Sequence, residues 1–167
     1  MTAIEHDFQS ADIHPIDIVE TLAEQAAWDF DRIGENQIAM AVEGKWRTYS
    51  LTLLWSDYDD MLRLVCTFEL SPPEERLPEF LVLLNIANDR VWGGGFTLWK
   101  DQGQIVYRAG LSLAGGASAT PEQVEAMVCA AVAQSERFYP AFQLVGWGDE
   151  APETAAQIAL GEAYGTA

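Results

Sequence analysis

Cationic side chains are scarce in this sequence. Its 167 residues include 26 Asp and Glu but only nine Lys and Arg, which gives a formal net charge of −17. A general nucleic-acid binder needs clustered Lys and Arg to contact phosphates, and an anionic membrane surface attracts the same side chains. We therefore expect no nucleic-acid partner and no attachment to an anionic membrane.

Long apolar runs and a basic leader are also missing. The first residues carry Glu5, Asp7 and Asp12, whereas a secretory signal peptide begins with basic residues. No apolar run reaches the ~18–20 residues that cross a bilayer. These absences predict a cytoplasmic protein without a membrane span.

Cysteine and histidine are too few for an obvious metal or redox site. Cys66 and Cys129 form no C-x-x-C motif, and each lies within a periodic apolar segment, which predicts two buried thiols rather than a disulfide. His6 and His14 fall in a polar lead-in, residues 1–14, without the spacing of a metal site. We expect both histidines to be exposed, and we expect no metal and no other cofactor.

Catalytic and phosphate-binding motifs are not recognisable. Ser118 has Gly116 two residues before it, but Thr120 stands where a nucleophile elbow has its second glycine. The loop Gly115–Thr120 contains no Lys, and Glu122 follows it, so phosphate binding is not expected there. Gly93–Gly95 also lacks Lys, and we predict that it ends a helix where two backbones approach closely.

A cluster of aspartates could suggest calcium. Asp57, Asp59 and Asp60 lie close together, but a calcium loop needs Gly at its sixth and Glu at its twelfth position. Arg63 and Phe68 stand near those places. The cluster is therefore predicted to be a solvated turn.

What the sequence does contain is clear periodicity. Helical spacing starts at Pro15, and strand alternation follows near residue 30 and over 38–42, 47–55 and 61–70. A helix is predicted over 74–91 with Ser71 as its cap, then a hairpin of 96–100 and 104–113. A capping box at Thr120 starts the last helix, which Pro140 should kink or end. Residues 148–167 are predicted to be an acidic, Ala-rich tail with at most one frayed helical turn.

This order, α-β-β-β-β-α-β-β-α, predicts one α+β domain over residues 15–147 with an antiparallel sheet, because residues 30–70 leave no room for a crossover helix. The helix over 74–91 is apolar on most of its circumference. Its predicted core stripe is Leu77, Phe80, Leu81, Leu84 and Val91, widened by Val82, Leu83 and Ile86. One sheet face cannot cover so wide a surface, so a homodimer is expected, with the tail as the alternative cover.

Tryptophan is plentiful. The six side chains are expected at element ends or strand faces, most of them packed in the core and some lining a concave sheet or an interface: Trp28, Trp46, Trp55, Trp92, Trp99 and Trp147.

Over about Pro15–Val145 the chain resembles the YbjN family of bacterial proteins. The segments that carry the resemblance are the opening Pro-Ile-Asp-Ile-Val-Glu-Thr-Leu helix, Trp28-Asp29-Phe30-Asp31-Arg32, the strands around Trp46–Phe68, Leu83-Leu84-Asn85-Ile86-Ala87-Asn88, and Gly94-Gly95-Phe96. The resemblance implies a fold similar to type III secretion chaperones, often dimeric, and a regulatory role in sensory transduction or stress. It carries no active-site residue.

Together these observations favour a non-catalytic regulatory or chaperone-like protein that binds a protein partner. Two alternatives stay open. One is a small-molecule-binding module with a pocket lined by Trp and Tyr between sheet and helix. The other is a small acyl-transfer enzyme using a carboxylate or Ser118. No residue is assigned a catalytic, cofactor-binding or metal-binding role, and the sequence does not locate a binding surface.

Overall fold

Helices cover one face of a six-stranded antiparallel sheet. The computed structural model describes residues 13–164, with side chains as far as residue 161. Neighbouring strands follow the order β1-β2-β3-β4-β6-β5 and are all antiparallel, which confirms the predicted α+β fold. The elements in chain order are α1 (Pro15–Gln25), β1 (Asp29–Arg32), β2 (Gln37–Glu43), β3 (Thr48–Ser56), β4 (Met61–Glu69), α2 (Leu77–Asp89), β5 (Gly95–Trp99), β6 (Gln104–Ser112), α3 (Pro121–Trp147) and α4 (Pro152–Tyr164).

The core lies between the sheet and the helices. Alternate residues of the central strands point into it, as their period of two predicts. The buried positions of β2, β3 and β4 are Ile38, Met40, Val42, Tyr49, Leu51, Leu53, Leu62, Leu64, Cys66 and Phe68. Within the part of the chain that the structure describes, no helix is long and apolar enough to cross a membrane.

His14 is the N-cap of α1, so the prediction that it is simply exposed is wrong. Its Nδ1 accepts a hydrogen bond from the Ile16 backbone N–H at 3.2 Å, and its Nε2 lies 3.0 Å from Asn36 Oδ1. Nδ1 acts as an acceptor, so the ring carries its proton on Nε2 and donates it to Asn36. A polar side chain is used here because the first N–H groups of a helix lack partners. His6 lies outside the described residues.

Helix α2 is shorter and more one-sided than predicted. It begins at Leu77 after a short 3-10 turn, Glu74–Arg76, and Ser71 does not cap it. Phe80, Leu83, Leu84 and Ala87 are buried on it, whereas Leu81 is 50% exposed and does not belong to the core stripe.

Helix α3 runs through Pro140 without ending. Its start confirms the predicted capping box, with Thr120 Oγ1 accepting from the Gln123 backbone N–H at 3.1 Å. Pro140 cannot donate a hydrogen bond to the preceding turn. The helix continues because Phe142 and Val145 beyond the proline are fully buried.

The tail prediction for residues 148–167 is wrong. Residues Pro152–Tyr164 form α4, which packs against both α3 and α2. Its buried side consists of Ala155, Ala156 and Ala159, small side chains that allow close approach of the helices. Helix α4 therefore covers part of the surplus apolar surface of α2.

The outer edge of β5 is held by a side chain of α2. Asn88 Nδ2 donates to the Phe96 carbonyl at 3.0 Å, and the Phe96 N–H donates to Asn88 Oδ1 at 2.6 Å. A Cβ on Gly94 would come within 2.5 Å of the Arg108 carbonyl oxygen, which confirms the predicted close backbone approach at this one glycine. The prediction that Gly93–Gly95 ends the helix is wrong, because α2 already ends at Asp89.

Candidate binding face

The second face of the sheet is not covered by any described element. Strand residues that alternate with the core positions point outward here, among them Thr52, Leu54, Val65 and Thr97. We call this surface the open face. Val106 on the open face is nevertheless fully buried, between Thr67 and Thr97 of the neighbouring strands.

A broad hollow of about 1080 Å³ lies on the open face. It extends from Gln37 on β2 to Trp99 on the edge strand β5, and residues of β2, β3, β4, β5 and β6 line it. Two indoles line it near β5: Trp92 is 98% exposed and Trp99 is 37% exposed. Exposed indoles of this kind are common at sites where another molecule binds.

Two arginines stand side by side in the hollow. Arg63 on β4 lies opposite Gly110 on β6, and Arg108 lies opposite Val65, so the arginines occupy diagonal positions on neighbouring strands. Arg63 Nη2 forms an ion pair with Asp59 Oδ2 at 2.6 Å. Hydrogen bonding by Ser56 and then by Arg63 holds the pKa of the exposed Asp59 carboxyl below its ordinary value.

Gly110 leaves room for a thioether in this hollow. A Cβ added there would come within 2.8 Å of Met61 Sδ, so the Met61 side chain lies over the glycine. Methionine adapts its shape easily and suits surfaces that bind varied apolar groups. The floor beside Arg63 is therefore apolar and adaptable.

The side chains in this hollow offer both charged and apolar groups to a bound molecule. Guanidinium, indole and thioether groups can hold a carboxylate and an apolar side chain together. The residues that line it include no histidine, cysteine or serine, the side chains that most often act as bases or nucleophiles.

The catalytic and metal candidates of the sequence do not come together. Ser118 is exposed in the loop between β6 and α3, whereas Cys66 is fully buried. Asp57, Asp59 and Asp60 form an exposed turn, as predicted, in which Asp57 Oδ1 accepts from Trp55 Nε1 at 2.6 Å. Among the described residues, no three His, Cys, Asp or Glu side chains are placed to hold a metal ion.

Two expectations about single side chains are wrong. Cys129 is exposed on α3, because it lies one position after the buried Val128 and two before the buried Ala131. Most tryptophans are not core residues: only Trp28 and Trp55 pack against the core. The remaining four are exposed, and of these Trp92 and Trp99 line the concave sheet face, as expected for some of them.

Arg63, Arg108 and Gly110 were not recognised from the sequence as a candidate site. A usable signal exists, because both arginines occupy outward positions of strands in a strongly acidic chain. What the sequence does not show is that β4 and β6 are neighbours in the sheet, because α2 and β5 lie between them in the chain.

Residues 15–144 match the YbjN family, described as "Putative bacterial sensory transduction regulator". The chain belongs to the YbjN family. A solved structure with a similar fold is described as "Crystal structure of YbjN, a putative transcription regulator from E. coli". Its TM-score is 0.54 at 14% identity, and the match covers 72% of this chain and 85% of that chain. No match was found among curated proteins. At this identity the likeness shows the fold alone.

Proposed function

We propose that this YbjN family member is a non-catalytic bacterial regulatory protein, which acts in sensory transduction or stress by binding another protein through its open face. The observation that carries the proposal is the hollow on the uncovered side of the sheet, with Trp92 and Trp99 exposed beside Arg63 and Arg108. Tryptophan and arginine supply much of the binding energy in protein interfaces.

The size of the hollow favours a protein partner over a small molecule. Five strands contribute to it, and neighbouring strands lie about 4.8 Å apart, so it is about 20 Å wide. A pocket for a small ligand encloses most of that ligand, whereas this surface is open to solvent. The alternative of a Trp- and Tyr-lined pocket between sheet and helices is not favoured, because core side chains, including Tyr49 and Tyr107, are packed in that space.

Two further statements belong to the same proposal. Action in the cytoplasm is supported by two unpaired cysteines, Cys66 and Cys129, which suit a reducing compartment. A homodimer is supported by Leu81 and Val82, which remain 50% and 45% exposed on α2 even though α4 covers another part of that helix. The likeness to type III secretion chaperones stays a prediction.

Site-specific photo-crosslinking in the native bacterium tests the proposal. A photoreactive residue replaces Thr97 or Leu54 on the open face, and Ala133, exposed on α3, serves as the control position. We expect one discrete crosslinked protein from the two open-face positions and none from Ala133. Adding Trp92→Ala and Trp99→Ala should remove the product. Crosslinking from Ala133 alone, or from none of the three, would contradict the proposal, and a metabolite that raises the melting temperature would favour a small ligand instead.

A further inference from the structure

Among the residues that the structure describes, Arg108 has no anionic partner. Of the cationic side chains, all of which the structure describes, only Arg108 and Lys100 have no hydrogen bond, ion pair or ring contact to a described residue. Lys100 lies just beyond the end of β5. Arg108 instead stands in the hollow, diagonal to a second arginine, in a chain with 26 acidic residues.

Two arginines at these positions can hold one anion between them. Like charges on neighbouring strands repel, and the diagonal separation is about 7–8 Å. Asp59 offsets Arg63, because its Oδ2 lies 2.6 Å from Arg63 Nη2, but it has no contact with Arg108. Each of the other described arginines has at least one hydrogen bond, ion pair or ring contact: Arg32, for example, binds both Asp17 and Glu20. The open face thus keeps one guanidinium available.

We propose that the hollow binds an acidic segment of a partner protein, in which an Asp or Glu lies beside an aromatic or aliphatic side chain. The carboxylate binds Arg108 and the free side of Arg63, while the apolar side chain packs on Trp92 and Trp99. A guanidinium binds a carboxylate through paired hydrogen bonds, which fixes the register of the segment. This inference rests on the proposed function and adds the chemistry of the partner.

The net charge of −17 does not prevent this binding. At physiological salt the Debye length is about 8 Å, so most acidic side chains of this protein are screened from the bound segment. Contact between a carboxylate and Arg108 occurs within hydrogen-bonding distance and is screened much less. A basic segment would be attracted at long range by the net negative charge, but its own positive charge would then lie against two arginines.

Selection of peptides tests the inference directly. A random peptide library is displayed on phage and selected against the immobilised full-length protein. We expect the enriched peptides to contain Asp or Glu next to an aromatic or aliphatic residue. The best peptide is then synthesised with its acidic residue intact, changed to Gln and changed to Lys, and each affinity is measured by fluorescence anisotropy.

Charge reversal provides the matched control. Arg108→Glu should lower the affinity for the acidic peptide by at least about tenfold and raise the affinity for the Lys peptide. The control Lys45→Glu changes the net charge equally, in a distant turn. It should change the affinity for either peptide by less than about twofold. Circular dichroism spectra of both variants check folding. Enrichment of basic or uncharged peptides, no enrichment, or equal effects of the two variants would overturn the inference.

The outcome also separates this inference from the proposed function. Crosslinking of a protein from Thr97 together with a preference for basic peptides would leave the proposed function intact and refute the acidic segment. Sedimentation of wild type and Arg108→Glu covers one other occupant. If the wild type is a dimer and Arg108→Glu is a monomer, the hollow binds a second copy of the chain, and the inference is overturned.

Discussion

Asn88 supplies both hydrogen-bonding groups that a neighbouring strand would offer to Phe96. Its carboxamide donates to the Phe96 carbonyl and accepts from the Phe96 N–H. The side chain thus completes the sheet at a position where α2 ends and β5 begins. Close packing at Gly94 and the two hydrogen bonds at Phe96 thus fix one junction between α2 and β5.

Removal of the Asn88 carboxamide should destabilise the protein. We expect Asn88→Ala to lower the free energy of unfolding by about 1–3 kcal/mol, since two hydrogen bonds are lost at once. Asn85→Ala is the control, because Asn85 is exposed on the same helix and bonds to no described residue. It should stay within about 0.5 kcal/mol of wild type in urea melts. Equal effects of the two variants would refute the role of Asn88.

The two cysteines should differ sharply in reactivity. Burial raises the pKa of the Cys66 thiol to about 11, whereas Cys129 is exposed. Only a thiolate attacks a disulfide reagent, and it must also be reachable. We expect Ellman's reagent to titrate one thiol per native chain and a second only after unfolding. Cys129→Ser should abolish the native reaction, and rapid native labelling of that variant would contradict the structure.

At the scale of elements, strands were easier to predict than helix faces. The alternation over 61–70 identifies the buried Leu62, Leu64 and Cys66 without knowledge of any partner strand. A helix as apolar as α2 gives no such guide, because its hydrophobic residues surround it. Which of them are buried depends on α4, whose own core side is alanine and gives little hydrophobic signal.

Two leucines of α2 should show which of its faces is buried. Leu84 is 5% exposed and Leu81 is 50% exposed. Leu84→Ala should cost about 2–5 kcal/mol, because it leaves a cavity beneath the helix. Leu81→Ala removes the same atoms from the surface of the single chain and should cost about 0.5 kcal/mol or less when the melts are run at a concentration where the protein is monomeric. Denaturant melts compare the two, and a loss for Leu84→Ala as small as that for Leu81→Ala would show that α2 packs in another orientation.

At the scale of the molecule, the sequence predicted the class of fold but not the position of the open face. Helical and strand periods define which residues of an element share a side. They do not say which sheet face the helices choose, or that β6 inserts between β4 and β5. Arg63 and Arg108 come together only through that insertion. The open face is therefore a property of topology.

Self-association of this protein should become stronger, not weaker, when salt is added. Two chains of −17 repel each other, while Leu81 and Val82 offer an apolar contact, so added salt should strengthen the proposed homodimer. Sedimentation equilibrium at low and high salt measures this. Leu81→Asp should dissociate the dimer, whereas Tyr58→Asp, at a residue that is 97% exposed in a distant turn, should not. A monomer at tens of micromolar in both salts would refute the homodimer.

Because helices cover only one face of the sheet, its strand positions differ in how well they tolerate substitution. Alternate residues such as Leu51, Leu53 and Leu64 are nearly inaccessible, and their replacement costs stability. Their neighbours Thr52 and Arg63 face solvent, where most substitutions change stability very little. A protein built in this way can acquire a new partner through changes at every second strand residue while its melting temperature stays the same. Binding preference and fold can therefore evolve separately in this chain.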